Sequence, residues 1–240
     1  MLDLTKNENT VDVASFEYWL ENYLEPEKTM NILQLQKFIN LAGYNVLIED
    51  GVFGNKTAAA KLQTEKNISA DLRTKYGITY YTGFYAYRSK EEFDNLATDF
   101  LLFFKNGIIT ECVPCSTRAG DFYWQNPITY GGITGTAVLA EGYYPKTYLG
   151  SWQTRLGWRS FECLQVKPIK IYRDGNRDRI IDRTTLVVGG TDIGINIHSA
   201  WWGNVINRWS AGCIVVPREH WDTFASENLQ EGISYDLVLV

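Results

Sequence analysis

Two residues in "GINIHSAWWGNVINRWSAGCIVVP", positions 194 to 217, have the types needed for nucleophilic catalysis. Cys213 stands in Ser-Ala-Gly-Cys, fifteen positions after His198, one of only 2 histidines in the chain. A thiol attacks as its thiolate, and a neighbouring imidazole lowers its pKa from about 8.5 to roughly 3.5–7.5. The pair must therefore meet in space. His198 ends the alternating stretch "INIH" and Cys213 begins "CIVV", so two adjacent strands joined by a turn-rich loop would bring them together. Gly212, without a side chain, would let backbone N–H groups face a developing oxyanion. The competing reading is a small buried cysteine and a hydrogen-bonded strand histidine.

Those residues need a framework to hold them. From residue 78 onward the chain reads as short strands. "DFLLFFKNGIITECVPCST" sets two apolar runs around Asn106-Gly107, a strong hairpin signal because both turn positions favour positive φ. "LQVKPIKIYR", "TLVVGG", "GINIHS", "GCIVVP" and "SYDLVLV" continue the strands, with a helix over "PREHWDTFASENL". Residues 10 to 70 read helically. Phe16, Trp19, Leu20, Tyr23 and Leu24 mark one amphipathic helix, and Ile32, Leu35, Ile39 and Ala42 mark a second. Asn55 is placed to cap a third, short helix through "KTAAAKLQ". So small a bundle needs a partner surface or a close-packed centre. The expected fold is α+β: a three-helix module over residues 1–75 and a mostly β catalytic domain over 76–240.

Two family resemblances rest on these motifs. Residues 31 to 63, with "LQLQKFINLAGYNVLIEDGVFGNKTAAAKLQ", resemble the peptidoglycan-binding domain of wall hydrolases: a Leu-Gln helix, a Gly-Tyr turn, Asp-Gly-x-Phe-Gly and an Ala-rich helix. Residues 194 to 240 are similar to the L,D-transpeptidase (YkuD-like) family, in which a histidine and a loop precede Ser-x-Gly-Cys, apolar residues, a helix and a final strand. "CST" and "GTAVLAEG" echo that family more loosely. The resemblance implies Cys213 as nucleophile, His198 as base, the Ser199 carbonyl as the group orienting the imidazole, and the N–H groups of Gly212 and Cys213 as an oxyanion hole. This chain departs from the family at Ala211, where His or Lys is usual, and at Val215, where Asn or Arg is usual. Arg208, Arg218 and Arg155 are the cations available to meet a substrate carboxylate instead. Trp201, Trp202 and Trp209 would wall the substrate groove or pack the loop onto the sheet. Ser210 joins the substrate-binding set, and as a rival nucleophile it lacks a Gly-x-Ser-x-Gly elbow.

Other signals rank lower. "CVPC" at 112 to 115 has zinc or redox spacing but no second ligand pair, and two strand thiols are expected. Asp174, Asn176, Asp178 and Asp182 match calcium-loop positions, yet Arg179 stands where Gly is needed and Thr185 where a bidentate Glu is needed, so a polar hairpin tip is expected. No cofactor or metal is called for.

Composition is that of a globular chain and not of a disordered segment. Hydrophobic residues make up 45% and charged residues 21%, with 8 Trp and 15 Tyr. The net charge of −5 divides as −3 over residues 1–75 and −2 over the rest, which offers no basic field for nucleic acid. "FLLFF" and its like are too short to span a membrane, and no export signal is visible in "MLDLTKNENTVDVASFEYW". The expected activity is acyl transfer on peptidoglycan stem peptides through a Cys213 thioester. The alternatives are an L,D-peptidase acting as phage lysin or secreted antibacterial toxin, and an inactive wall-binding protein. Synthesis in the cytoplasm and action at the bacterial wall would then need non-classical delivery, with delivery or secretion machinery or an immunity protein as further partners.

Overall fold

The computed structural model describes residues 30–90, 95–130, 132–155, 158–200 and 205–240. The helix expected over Phe16–Leu24 lies outside the described residues, as do Trp201 and Trp202.

Helix α1 spans Ile32–Leu41, and the Asn31 side chain caps it by accepting from the Gln34 N–H at 3.2 Å. The turn that follows is held by α1 itself. Gln36, fully buried, donates to Asp50 Oδ1 at 2.8 Å and accepts from the Gly51 N–H at 2.8 Å. Gly51 takes φ +72°, which a side chain would strain. The Leu-Gln and Asp-Gly pieces of the motif are thus two halves of one hydrogen-bonded joint. Helix α2 runs over Asn55–Tyr76, 22 residues and far longer than expected. Gly54 is its N-cap and Asn55 lies inside its first turn, so the cap assigned to Asn55 is corrected.

The strands are β1 (Gly83–Tyr87), β2 (Asp99–Lys105), β3 (Ile108–Cys115), β4 (Thr129–Tyr130), β5 (Ile133–Thr134), β6 (Thr136–Leu139), β7 (Gly142–Arg155), β8 (Trp158–Gln165), β9 (Ile169–Asp174), β10 (Leu186–Gly189), β11 (Ile197–Ala200), β12 (Ile214–Pro217) and β13 (Ser234–Leu239). Helix α3 (Asp121–Gln125) follows β3, and α4 (Arg218–Asn228) follows β12. Asn106 and Gly107, at φ +51° and +84°, turn β2 into β3 with Lys105 opposite Ile108. Strand β7, with Pro145 inside it, was not legible as a strand in the sequence.

Eight strands form one sheet in the order β12-β11-β8-β7-β13-β1-β2-β3. Just past β3, Ser116 exchanges both backbone hydrogen bonds with Val215 of β12, at 2.8 and 2.9 Å, so the sheet edges meet and the sheet is nearly closed. Inside lie Phe84, Leu101, Tyr148, Ile197, Ile214 and Val216, with Trp221 and Phe224 from α4. A smaller antiparallel sheet, β10-β9-β6, stands beside it. Helices α1 and α2 find their partner surface on the outer face of β1-β2-β3: Leu35, Phe38, Ile39, Ile68 and Leu72 share a core with Tyr85, Phe100, Leu102 and Phe104. Among the described residues no helix is long and apolar enough to cross a membrane.

Candidate active site

β11 and β12 are parallel neighbours, with Ile197 opposite Ile214 and His198 opposite Val215. Ile197, Ile214 and Val216 point into the core. The period of two then sends His198, Cys213 and Val215 to the other face, where Cys213 and Val215 join an apolar cluster with Ala200, Ile206 and Trp209. Both His198 and Cys213 are half-buried.

The imidazole is fixed from both sides. His198 Nδ1 lies 2.9 Å from the Ser199 carbonyl. A carbonyl only accepts, so Nδ1 carries the proton and Nε2 is the nitrogen left to interact with the Cys213 thiol. Burial by itself would lower the His198 pKa. The hydrogen bond and charge of Cys213, then the Ser199 carbonyl, then Glu162 more than offset it, so the ring titrates above its usual 6.5. Cys213 Sγ also accepts from the Asn196 N–H at 3.4 Å and lies 3.4 Å from the Gly194 carbonyl. These groups make the arrangement competent to generate a thiolate and to protonate a leaving amine.

The turn before the nucleophile differs from the sequence expectation. Ser210 is buried, donating to the Cys213 carbonyl at 2.8 Å and accepting from the Gly212 N–H at 3.0 Å. The Gly212 N–H is therefore engaged by Ser210 and does not point at an oxyanion in this structure. Gly212 is instead required by space: it takes φ +138°, and a Cβ there would stand 2.7 Å from the Ala137 carbonyl oxygen and 3.0 Å from Ile195 Cδ1. The rim is tied down by Gln165, whose side chain accepts from the Ile195 N–H at 2.9 Å and donates to the Gly190 carbonyl at 2.8 Å.

Cys213 opens on a cavity of about 280 Å³ lined by Tyr123, Tyr130, Arg173, Asp192, Ala211 and Gly212 among others. Of the arginines considered from sequence, Arg208 stacks on Phe122 at 4.2 Å, and Arg218 lines a separate groove with Trp152 and Trp221 and pairs with Asp222 at 3.5 Å. The Arg155 side chain lies outside the described residues. Sequence reading missed Arg173 and Glu162. Arg173 sits on β9, and buried Glu162 reaches the His198 side because Cys163 pairs with Ile197. No local pattern marks either, since both depend on strand register.

Cys112 faces the core under the helices and Cys115 faces the sheet interior, so the "CVPC" thiols lie on opposite faces of β3. None of the four cysteines is in a disulfide. Arg179 takes the left-handed φ of +69° where a calcium loop wants Gly, but among the described residues no three His, Cys, Asp or Glu are gathered to hold a metal ion.

No family model and no curated protein matches the chain. Similar solved structures include an L,D-transpeptidase from Xylanimonas cellulosilytica, at 16% identity and a TM-score of 0.28, with 87% of this chain and 92% of that one covered. Another is an L,D-transpeptidase from Mycobacterium smegmatis, at 10% identity and a TM-score of 0.28, with 66% of this chain and 59% of that one covered. Likenesses of this size assign no chemistry to the site.

Proposed function

We propose that the chain is a peptidoglycan-modifying cysteine acyltransferase that works on stem peptides at the bacterial cell wall. The observation that carries this reading is the placement of the Cys213 thiol beside the His198 ring, which the Ser199 carbonyl holds, at the mouth of a cavity. The resemblance of His198 and Ser210–Cys213 to the L,D-transpeptidase motif supplies the substrate class.

In this reading Cys213 Sγ attacks an amide carbonyl of the stem peptide. The His198 proton passes to the departing nitrogen, so the C–N bond breaks as a thioester and a neutral amine form. An acceptor amine then attacks the thioester and gives its proton to His198, restoring the thiolate–imidazolium pair. With the Gly212 N–H held by Ser210, stabilisation of the tetrahedral oxyanion falls to the Cys213 N–H. Helices α1 and α2 supply affinity for the wall.

The test is mass spectrometry of tetrapeptide muropeptides incubated with a labelled D-amino acid and either the wild type or Cys213→Ala. Label in the product of the wild type alone supports transfer. Tripeptide or cleaved crosslinks without label would assign hydrolysis instead, and unchanged muropeptides would overturn the enzymatic reading.

A further inference from the structure

The cavity beside Cys213 contains a cation that the described protein leaves without a counter-ion. Arg173 is only 4% exposed and lines the same cavity as Cys213. One terminal nitrogen, Nη2, donates to the backbone carbonyls of Ile128 and Ile133, and buried Nε has no acceptor. Among the described residues no carboxylate pairs with it. Asp192, the one carboxylate on the cavity wall among those residues, receives the Tyr130 hydroxyl at 2.9 Å instead. The other buried arginines are treated differently: Arg88 meets Glu141, and Arg118 meets Asp99 at 3.0 Å.

A buried guanidinium facing only neutral carbonyls is costly unless an anion completes it. Its planar fork suits a carboxylate, which it can take through two parallel N–H bonds. The position is fixed by the fold, because Arg173 pairs with Ala137 across β6 and β9, and the Ala137 carbonyl is the group against which Gly212 packs. The cation and the nucleophile are therefore built on one contact. The residues at 211 and 215, Ala and Val here, leave the Cys213 turn itself without a charged side chain.

We propose that Arg173 is the binding residue for a carboxylate of the acyl donor, seated in the cavity next to the bond that Cys213 attacks. This rests on the acyl-transfer reading, but its first test does not require peptidoglycan. Bromoacetyl-D-alanine and bromoacetyl-D-alaninamide deliver the same electrophile to Cys213 with and without a carboxylate one residue away. Wild-type Cys213 should react at least about 10-fold faster with the acid, the factor of one charge-assisted contact of roughly 1.4 kcal/mol. Arg173→Gln should bring the ratio close to one, and Arg173→Lys should restore part of it.

Equal rates for the two reagents in the wild type would overturn the proposal whatever the variants do, and so would an undiminished ratio in Arg173→Gln. Selective alkylation of Cys213 would survive either failure, which separates this proposal from the catalytic reading. The carboxylate concerned is identified with stem tetrapeptides amidated at the C-terminus or at a side-chain carboxyl. The amidation that removes the difference in KM between wild type and Arg173→Lys marks the group Arg173 holds, and a KM difference that persists with both overturns the assignment to the donor.

Discussion

At the scale of single residues, the chemistry turns on where one proton sits between Cys213 and His198. A thiol of pKa about 8.5 is only about 0.3% thiolate at pH 6, whereas one paired with an imidazolium is largely ionised. Burial pushes the thiols of Cys112, Cys115 and Cys163 up, so they are protected twice, by access and by charge. Brief iodoacetamide treatment at pH 6 should therefore label Cys213 well ahead of the other three, and His198→Ala should slow that labelling on the order of 100-fold. Equal labelling of all four by peptide mapping would sink the catalytic assignment. Asp174 gives a second case. It is buried, neither carboxylate oxygen has a hydrogen bond of good geometry, and burial followed by the charge of Asp178 raises its pKa above 3.8. A carboxyl raised in the fold destabilises it as pH climbs past the unfolded value and has no effect well below it. Asp174→Asn should accordingly raise the melting temperature at pH 7 and leave it unchanged near pH 3. A lower melting temperature at pH 7 would show that the charged form is held by something favourable.

Among the elements, the turn from Trp209 to Cys213 is the joint on which the nucleophile depends. Ser210 bonds both the Gly212 N–H and the Cys213 carbonyl, and Gly212 presses against Ala137 of β6. Removing the hydroxyl leaves two buried backbone groups unsatisfied, at about 1–3 kcal/mol each. Ser210→Ala should thus lower the melting temperature and also blunt the selective labelling of Cys213, since thiol and imidazole would no longer be held in register. Gly212→Ala should be worse, because the added methyl meets backbone at 2.7 Å and the φ of +138° disfavours it. Full thermal stability in both variants would mean that β12 alone positions the thiol.

Taken as a whole molecule, the protein has helices and sheet that share apolar surface. Phe38 of α1 packs on Tyr87 and Phe100 with ring centroids 5.6 and 5.9 Å apart, and is itself fully buried. Glu65 of α2 accepts from the Ile109 N–H at 2.8 Å, and Glu111 of β3 accepts from the Asn31 N–H at 2.9 Å, so polar contacts cross the same seam. Heating should then melt α1, α2 and the sheet in one cooperative transition, and Phe38→Ala should destabilise that whole transition by about 3–5 kcal/mol. Calorimetry compared with far-ultraviolet and aromatic circular dichroism decides it; a helical signal lost well below the aromatic one would show the helices to be an independent unit.

Local order was legible in the residues themselves. Asn106-Gly107 announced its hairpin through two positive-φ positions, and the period of two in "INIH" and "CIVV" announced β11 and β12. Each depends on neighbours a few positions away, which is the range over which backbone preference acts. What only the tertiary structure decided lies across long separations. The alignment of Ile197 with Cys163 brought Glu162 to His198, the bridge from Ser116 to Val215 brought the sheet edges together, and the pairing of Ala137 with Arg173 set a guanidinium beside the nucleophile. Strand register carries that information, and register is set by the fit of whole faces in the core, so no single stretch of sequence contains it.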